Sequence, residues 1–185
     1  PSAAAAPPTA SATAPYAAPA TAGTAAPVTY AGRLPKGAGT LALVRTGDQA
    51  VAYLCDGSRV EAWLSGAVDG DEVVLRGTGT SRSSTLEGTL ADGRLTGSVT
   101  VGGRSWSFRI RPVTAPSGLY RAAARVRGAQ VVGGWIALED GSVVGLGSLD
   151  GSLAAVGDLD PRTGRASVGA VPVTAARVDA GALAP

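Results

Sequence analysis

Residues 85–111 read TLEGTLADGRLTGSVTVGGRSWSFRIR and decide the fold. Within residues 104–111 apolar and polar side chains alternate, which is the period-two pattern of a strand buried on one face. Asp92-Gly93 and Gly102-Gly103 separate this run from two earlier alternating runs. Asp-Gly and Gly-Gly readily adopt the two positive φ angles of a type I′ hairpin turn. The stretch therefore predicts three consecutive antiparallel strands.

The same turn signal recurs on both sides of this stretch. Each further occurrence lies between apolar or β-branched runs, and the four are Asp56-Gly57, Asp69-Gly70, Asp140-Gly141 and Asp150-Gly151. Six such turns indicate a chain that folds back on itself repeatedly, strand beside neighbouring strand.

The alternating segments predict about eleven strands, and no segment shows a capped helical pattern. We expect an all-β fold, an antiparallel meander that forms a barrel or a coiled β-sandwich. Inward-facing Gly88, Gly97 and Gly134 indicate tight curvature or close packing. The predicted strands lie near 28–34, 39–45, 49–55, 58–66, 72–77, 83–91, 94–101, 104–112, 118–127, 130–139 and 142–148, with one or two shorter strands within 152–178.

The composition changes sharply after residue 27. Residues 1–27 contain thirteen Ala, six Pro and four Thr and carry no charge, which predicts a disordered Pro/Ala/Thr-rich linker reaching on the order of 80 Å if extended. Residues 28–178 form the predicted β domain, with two sub-lobes, 28–112 and 117–178, as an alternative. Residues 179–185 are predicted to be a flexible tail.

Several chemistries are excluded by composition. The chain has no His, one Cys and one Lys, and its formal net charge is +2. Catalytic triads, Cys-His pairs and His- or Cys-based zinc sites therefore cannot form. The small net charge argues against a nucleic-acid partner. Cys55 has no partner for an intrachain disulfide and is expected to be a buried small hydrophobe. We expect a protein that is not an enzyme and needs no cofactor or metal.

Carboxylates are the remaining catalytic candidates. Glu61, Glu72, Glu87 and Glu139 could supply a glycosidase-like pair if two met about 5–10 Å apart in a cleft. Three of them fall on predicted solvent-facing strand positions, so a solvated role is favoured. The acidic segment 158–164 resembles the start of a calcium loop but lacks its glycine and third acid, and a polar turn is favoured there.

Trp and Arg residues supply the candidate interaction surface. Trp63 and Trp135 fall on predicted outward faces, where exposed Trp would indicate binding; the alternative is that the linker or the C-terminal strands cover them. Arginines on outward faces of consecutive strands would form a basic stripe if those strands paired in order. The stripe would comprise Arg94, Arg109, Arg111, Arg121, Arg125 and Arg127, or these would simply be surface cations.

Several stretches resemble a family of uncharacterised exported or membrane-anchored β-domain proteins of actinobacteria. They are Ala50–Gly57, Val60–Gly66, Gly118–Ala122, Gly134–Ile136 and Glu139–Gly141. The resemblance covers most of the predicted β domain. It implies a non-cytoplasmic domain, often joined to a membrane anchor by a Pro/Ala/Thr-rich linker, and it implies no reaction.

We therefore expect an extracytoplasmic, non-enzymatic β domain on a tether, acting in binding, sensing or surface structure. Its expected partner is a cell-wall polymer, a membrane surface or another exported protein. The alternatives are a small secreted inhibitor or protein-interaction module and, less favoured, a carboxylate-only hydrolase. An apolar cavity inside the barrel would favour ligand binding. An exposed Trp patch would favour a protein partner.

Overall fold

The computed structural model describes residues 25–180, so the predicted linker in residues 1–24 and the last five residues lie outside the described part. The chain is all-β, with 63% strand and no α-helix in the described range. The first eight strands are β1 (Val28–Arg33), β2 (Thr40–Thr46), β3 (Gln49–Cys55), β4 (Glu61–Asp69), β5 (Glu72–Gly77), β6 (Thr85–Ala91), β7 (Arg94–Val101) and β8 (Arg104–Val113).

These eight strands form a closed antiparallel barrel in sequence order. Closure comes from β1, which pairs with β2 on one side and with β8 on the other, where Thr29 lies opposite Val113. Closing the sheet leaves these strands without a free edge. The predicted all-β antiparallel meander is confirmed, and its first eight strands adopt the barrel form.

The six predicted turns all join neighbouring antiparallel strands. Asp92-Gly93, Gly102-Gly103 and Asp150-Gly151 have positive φ at both residues, as a type I′ turn requires. The other three have a positive φ at their glycine alone. A further two-residue turn, Arg127-Gly128, has φ angles of 51° and 88° and carries a less typical first residue.

The barrel interior is packed with side chains. Alternate residues of each strand point inward, and in β8 these include Phe108 and Ile110, both at least 96% buried. The predicted alternation of residues 104–111 is confirmed. Leu41, Leu54, Leu64 and other apolar residues from the remaining strands complete this core.

Gly88 and Gly97 face each other on β6 and β7. A β-carbon at Gly97 would collide with the backbone of Glu87 and Gly88. The strand backbones therefore approach closely only because neither position carries a side chain, as the sequence predicted.

A second antiparallel sheet follows the barrel, in the order β12-β11-β10-β9-β15, and a separate hairpin pairs β13 with β14. Four short strands, β12 to β15, occur within residues 152–178, where one or two were expected. The strands are β9 (Gly118–Val126), β10 (Ala129–Ala137), β11 (Val143–Leu149), β12 (Ser152–Ala154), β13 (Arg165–Val168), β14 (Val171–Thr174) and β15 (Ala176–Arg177).

The second sheet is buried on both faces over part of its length. On one face Leu119 and Ile136 pack against Val44 and Tyr53 from the outer wall of the barrel. On the other face a separate apolar cluster lies between the sheet and the β13–β14 hairpin. The structure is thus layered as barrel, sheet and hairpin, and the two predicted sub-lobes share an apolar interface.

Polar contacts also join the layers. In the loop between β10 and β11, Asp140 accepts a hydrogen bond from Arg33 at 3.1 Å, and Glu139 pairs with Arg111 at 2.7 Å. Near the C-terminus, Thr46 donates a hydrogen bond to Asp179 at 2.8 Å, and Ala180 is 95% buried. The first two residues of the predicted flexible tail, Asp179 and Ala180, thus contact the rest of the fold.

No helix within residues 25–180 is long and apolar enough to cross a membrane.

Candidate functional site

The candidate site is a groove of about 580 Å³ where the second sheet meets the outer wall of the barrel. One side is barrel strand β4 with neighbouring Val51 of β3, and the other is formed by β9, β10 and β11. The chain segment 78–81 also lines the groove. Side chains in the lining include Glu61, Trp63, Ser65, Arg121, Gln130, Val132 and Ser148.

The groove arises because the apolar contact between the two layers stops partway along the sheet. On β10, Ile136 is fully buried against the barrel, whereas Val132 is half-buried and Gln130 is exposed. These residues share one face because side chains alternate along a strand. Near Ile136 this face of β10 therefore belongs to the core, and near Val132 and Gln130 it forms one wall of the groove.

The segment 78–81 is held against β4 by backbone contacts. The Thr78 N–H donates to the carbonyl oxygen of Trp63 at 2.9 Å. Gly77 precedes the segment, and a β-carbon there would collide with the carbonyl of Ser81. The hydroxyl residues of the turn therefore lie beside Trp63.

Trp63 is half-buried at the base of the groove. Its cross-strand neighbour is Tyr53, and a β-carbon at Gly134 of the second sheet would lie 2.7 Å from an atom of each ring. Gly134 thus gives the two rings room to rest on the sheet backbone, which is the close packing expected of this glycine. The Trp63 indole is therefore held between the Tyr53 ring and the backbone of Gly134.

Glu61 links the two aromatic side chains. Its Oε1 accepts hydrogen bonds from the Tyr53 hydroxyl at 3.1 Å and from Trp63 Nε1 at 3.3 Å. No other residue within 25–180 donates to this carboxylate. Glu61 Oε2 is therefore left to accept a hydrogen bond from a ligand.

Tyr53 is completely buried beneath this pair. Its hydroxyl oxygen also accepts a hydrogen bond from the Leu146 N–H at 3.3 Å. Burial is the main reason that the pKa of the Tyr53 phenol is raised well above its ordinary value, and nearby Cys55 and Glu61 add to the shift. Tyr53 therefore stays neutral and acts as a fixed hydrogen-bond donor to Glu61.

Arg121 reaches the groove from β9. Its guanidinium carbon lies 5.6 Å from the centre of the Trp63 ring, within the range of a cation–π contact. The residue is half-buried, and no carboxylate in the described range forms an ion pair with it. The groove thus contains a guanidinium and a carboxylate that contact the same indole but do not pair with each other.

The structure brings together only two of the six residues predicted for the interaction surface, Trp63 and Arg121. Arg125 lies on the same face of β9, opposite Gln130, and is exposed. Arg109 and Arg111 lie on the barrel, and Arg111 is paired with Glu139. Because β8 does not pair with β9, the predicted stripe across consecutive strands is wrong.

The placement of Trp135 on an interaction surface is also wrong. Its side chain is fully buried, and its Nε1 donates to the carbonyl oxygen of Gly157 at 3.1 Å. Val168 of the β13–β14 hairpin packs in the same cluster. The alternative of covering by C-terminal strands is therefore confirmed for Trp135.

The other chemical candidates are dispersed or structural. Glu61 is the one acidic residue in the groove lining, and no group of three metal-ligating residues occurs within the described range. In the acidic segment, Asp160 accepts hydrogen bonds from Arg162 N–H and the Thr163 hydroxyl, forming the expected polar turn. Cys55 is free and fully buried, as predicted.

Sequence reasoning did not single out Tyr53, Gln130, Ser148 or the segment 78–81 as parts of one site. Gln130 and Ser148 lie on two neighbouring strands of the second sheet, at positions on the face shared with Gly134. Their common face was readable from the alternation, but which surface it would meet was not.

The fold and groove define an all-β protein in which a closed eight-stranded barrel carries a second antiparallel sheet on its wall. No protein-family model, no curated protein and no solved structure matches this chain. The resemblance to exported actinobacterial β domains stays a prediction.

Proposed function

We propose that this protein is a non-enzymatic, extracytoplasmic binding domain whose groove holds a short stretch of a sugar chain. The observation that carries the proposal is the half-buried Trp63 set among hydroxyl, amide, carboxylate and guanidinium groups. A sugar ring presents apolar C–H faces and a rim of hydroxyls, so it needs an apolar platform surrounded by hydrogen-bonding groups.

The groove supplies both kinds of contact. Trp63 and Val132 provide apolar surface, while Gln130 and Ser148 on one wall and Ser65 on the other provide donors and acceptors. A volume of about 580 Å³ lies in the range of ~300–1,000 Å³ typical of small-ligand sites. The groove is open to solvent, which suits part of a longer chain.

The packed interior of the barrel favours a binding site on the outside of the barrel. Apolar side chains from all eight strands fill the interior, so a ligand would have to displace well-packed core residues. The groove needs no such rearrangement, because it is already open, and Trp63 is held in place by Tyr53, Gly134 and Glu61.

A binding role is favoured over catalysis by the composition and by the groove lining. The sequence has no His and one Lys, and Glu61 is the sole acid among the residues of the groove wall within the described range. A glycosidase mechanism uses two carboxylates on opposite sides of the scissile bond. Glu61 instead accepts hydrogen bonds from two neighbouring side chains.

The extracytoplasmic location is supported by the composition of residues 1–27, which suits a tether that holds a domain away from a surface. Cell fractionation with protease accessibility tests this part of the proposal. We expect cleavage of the protein on intact cells by an added protease. Protection of the chain until the cells are lysed contradicts the location and leaves the groove hypothesis to be judged separately.

The binding hypothesis is tested with the full 185-residue chain and a panel of defined oligosaccharides, read out by Trp fluorescence and calorimetry. We expect at least one sugar chain to bind and to change the emission of Trp63. Trp63→Leu should weaken binding about tenfold or more, because the platform is lost. Trp106→Leu is the matched control, since Trp106 is a half-buried barrel Trp outside the groove.

A second pair of variants, at exposed positions, distinguishes the loss of a ligand contact from an effect on folding. Gln130→Ala removes an exposed groove amide, and Gln49→Ala removes an exposed amide outside the groove lining. We expect only Gln130→Ala to weaken binding. Equal effects of both members of each pair, or no binding to any sugar in the panel, would overturn the proposal.

A further inference from the structure

We propose, on the basis of the sugar-binding function above, that the groove selects acidic sugar chains and that Arg121 is the residue that selects them. The ligand class is a hydroxyl-rich chain bearing carboxylate or phosphate groups. The starting observation is a half-buried guanidinium that contacts Trp63 and has no carboxylate partner among residues 25–180.

Arg121 differs from the arginines that join the layers of the fold. Arg33 and Arg111 each pair with a carboxylate of the β10–β11 loop, although both are more than half exposed. Arg121 lies in a partly enclosed groove, where a charge loses part of its hydration. The Trp63 ring offsets some of that cost, and an anionic ligand would offset more.

The guanidinium is suited to this ligand class by its shape. Its planar array of donors can bind two oxygens of one carboxylate or phosphate at once. The guanidinium carbon lies over the Trp63 ring, 5.6 Å from its centre, so the guanidinium and the indole together form one surface against which a sugar ring would rest. An acidic substituent of a bound ring therefore has a donor within the same groove.

The charges around the groove favour an anion on both walls. Arg125 lies two positions along the same face of β9, and Arg76 lies opposite Ser65 on the barrel wall; both are exposed. Two acids oppose them. Glu61 already accepts two hydrogen bonds, and Asp150 accepts the Gln130 N–H at 2.7 Å. The groove lining itself contains one guanidinium, Arg121, and one carboxylate, Glu61. The positions beside it add two arginines and one aspartate, so the surroundings are net positive.

Glu61 adds a complementary requirement. Its free oxygen Oε2 accepts hydrogen bonds and cannot donate them while the carboxylate is ionised. It therefore suits a sugar hydroxyl, whereas Arg121 suits the acidic group. A simple anion without hydroxyls would use only half of the site.

The test uses the full chain and three probes: hexagalacturonate, its neutral methyl ester and a mannose hexasaccharide bearing phosphate monoesters. We expect both acidic probes, or one of them, to bind about tenfold or more tightly than the neutral ester. The acidic probe that binds more tightly identifies whether the natural acid is a carboxylate or a phosphate. Equal binding of the two supports the shared chemistry.

Arg121→Gln should abolish the preference for acidic probes, so that the acidic probes and the neutral ester bind with the same affinity. Arg109→Gln is the matched control, because it removes the same charge from an exposed barrel position outside the groove. Arg121→Lys keeps the charge without the planar fork and should retain only part of the preference. It also provides a second variant if Arg121→Gln fails to fold.

Each contrary result has a distinct meaning. Equal binding of acid and ester, unchanged in Arg121→Gln, overturns the selectivity while the sugar-binding groove stands. Equal losses in Arg121→Gln and Arg109→Gln overturn it in favour of diffuse charge attraction, which also weakens steeply with added salt. Failure of every probe and every neutral sugar to bind overturns the proposed function itself.

Discussion

Tyr53 and Trp63 lie directly opposite each other on β3 and β4, with ring centroids 4.3 Å apart and ring planes inclined at 37°. The pair projects from the outer wall of the barrel onto the backbone of Gly134. One ring is fully buried and the other is half-buried in the groove. The barrel and the second sheet therefore meet at the point where the candidate site begins.

Gly134→Ala should destabilise the protein by about 1–3 kcal/mol, the usual cost of adding a carbon to a packed core. The added β-carbon would lie 2.7 Å from atoms of both Tyr53 and Trp63. Urea denaturation measures the effect. In a Trp63→Leu background the cost should be smaller, because one of the two close contacts is removed. An identical cost in both backgrounds contradicts this explanation.

Trp135→Ala should cost about 3–5 kcal/mol of unfolding free energy, as expected for truncating a fully buried aromatic residue. It would also leave the Gly157 carbonyl without its indole donor. Trp106→Ala, at a half-buried position, should cost less. Denaturant titration compares the two variants. A loss for Trp135→Ala no larger than that for Trp106→Ala would show that Trp135 is not a core residue.

Cys55 should make stability fall at alkaline pH. Burial is the main reason that the pKa of its thiol is raised from 9.0 to about 11 in the folded protein. Above pH 9 the unfolded chain therefore releases this proton while the folded chain retains it. The stabilisation from this group is complete below pH 9 and declines toward pH 11, by at most ~1.4 kcal/mol per pH unit.

Cys55→Ala isolates this contribution in denaturation curves recorded between pH 9 and 10. We expect the variant to be less stable overall, because a buried group is shortened, but to show a shallower decline with pH. Tyr53, whose pKa is also raised, contributes a similar decline at higher pH and remains in the variant. Parallel pH profiles for the wild-type protein and Cys55→Ala would rule out the thiol as their cause.

Asp140 should titrate well below an ordinary aspartate. The hydroxyl of Ser142 contributes most to lowering its pKa to about 2, followed by the Ser142 N–H and by Arg33. In a carboxyl NMR titration, Ser142→Ala should therefore raise this pKa more than Arg33→Gln does. The small stabilisation from the group is present above pH 3.8 and is lost as the pH falls through about 2.

Arg111→Gln is the control for this titration, because Arg111 pairs with Glu139 of the same loop and not with Asp140. Its effect on the Asp140 midpoint should be the smallest of the three. A larger shift from Arg111→Gln than from Ser142→Ala would mean that long-range charge, and not local hydrogen bonding, lowers the pKa of this carboxyl.

The candidate site was only partly predictable, and Trp63 and Trp135 show why. The alternation of apolar and polar residues predicts that both side chains lie on outward strand faces. Alternation states which residues share a face, but it does not state what covers that face. The β13–β14 hairpin covers Trp135, while the second sheet leaves Trp63 half open. For the same reason, the alternation did not show that the arginines of the predicted stripe lie on separate surfaces.

The amino-acid sequence by itself determined the strands, their turns and their antiparallel neighbours, because alternation and positive-φ turn residues act over a few consecutive positions. It also determined that no imidazole chemistry is available. The tertiary structure decided that β1 pairs with β8 and that Trp63, Glu61 and Arg121 meet in one groove. Those contacts join residues distant in the chain, and they depend on how the barrel closes and how the second sheet packs on its wall.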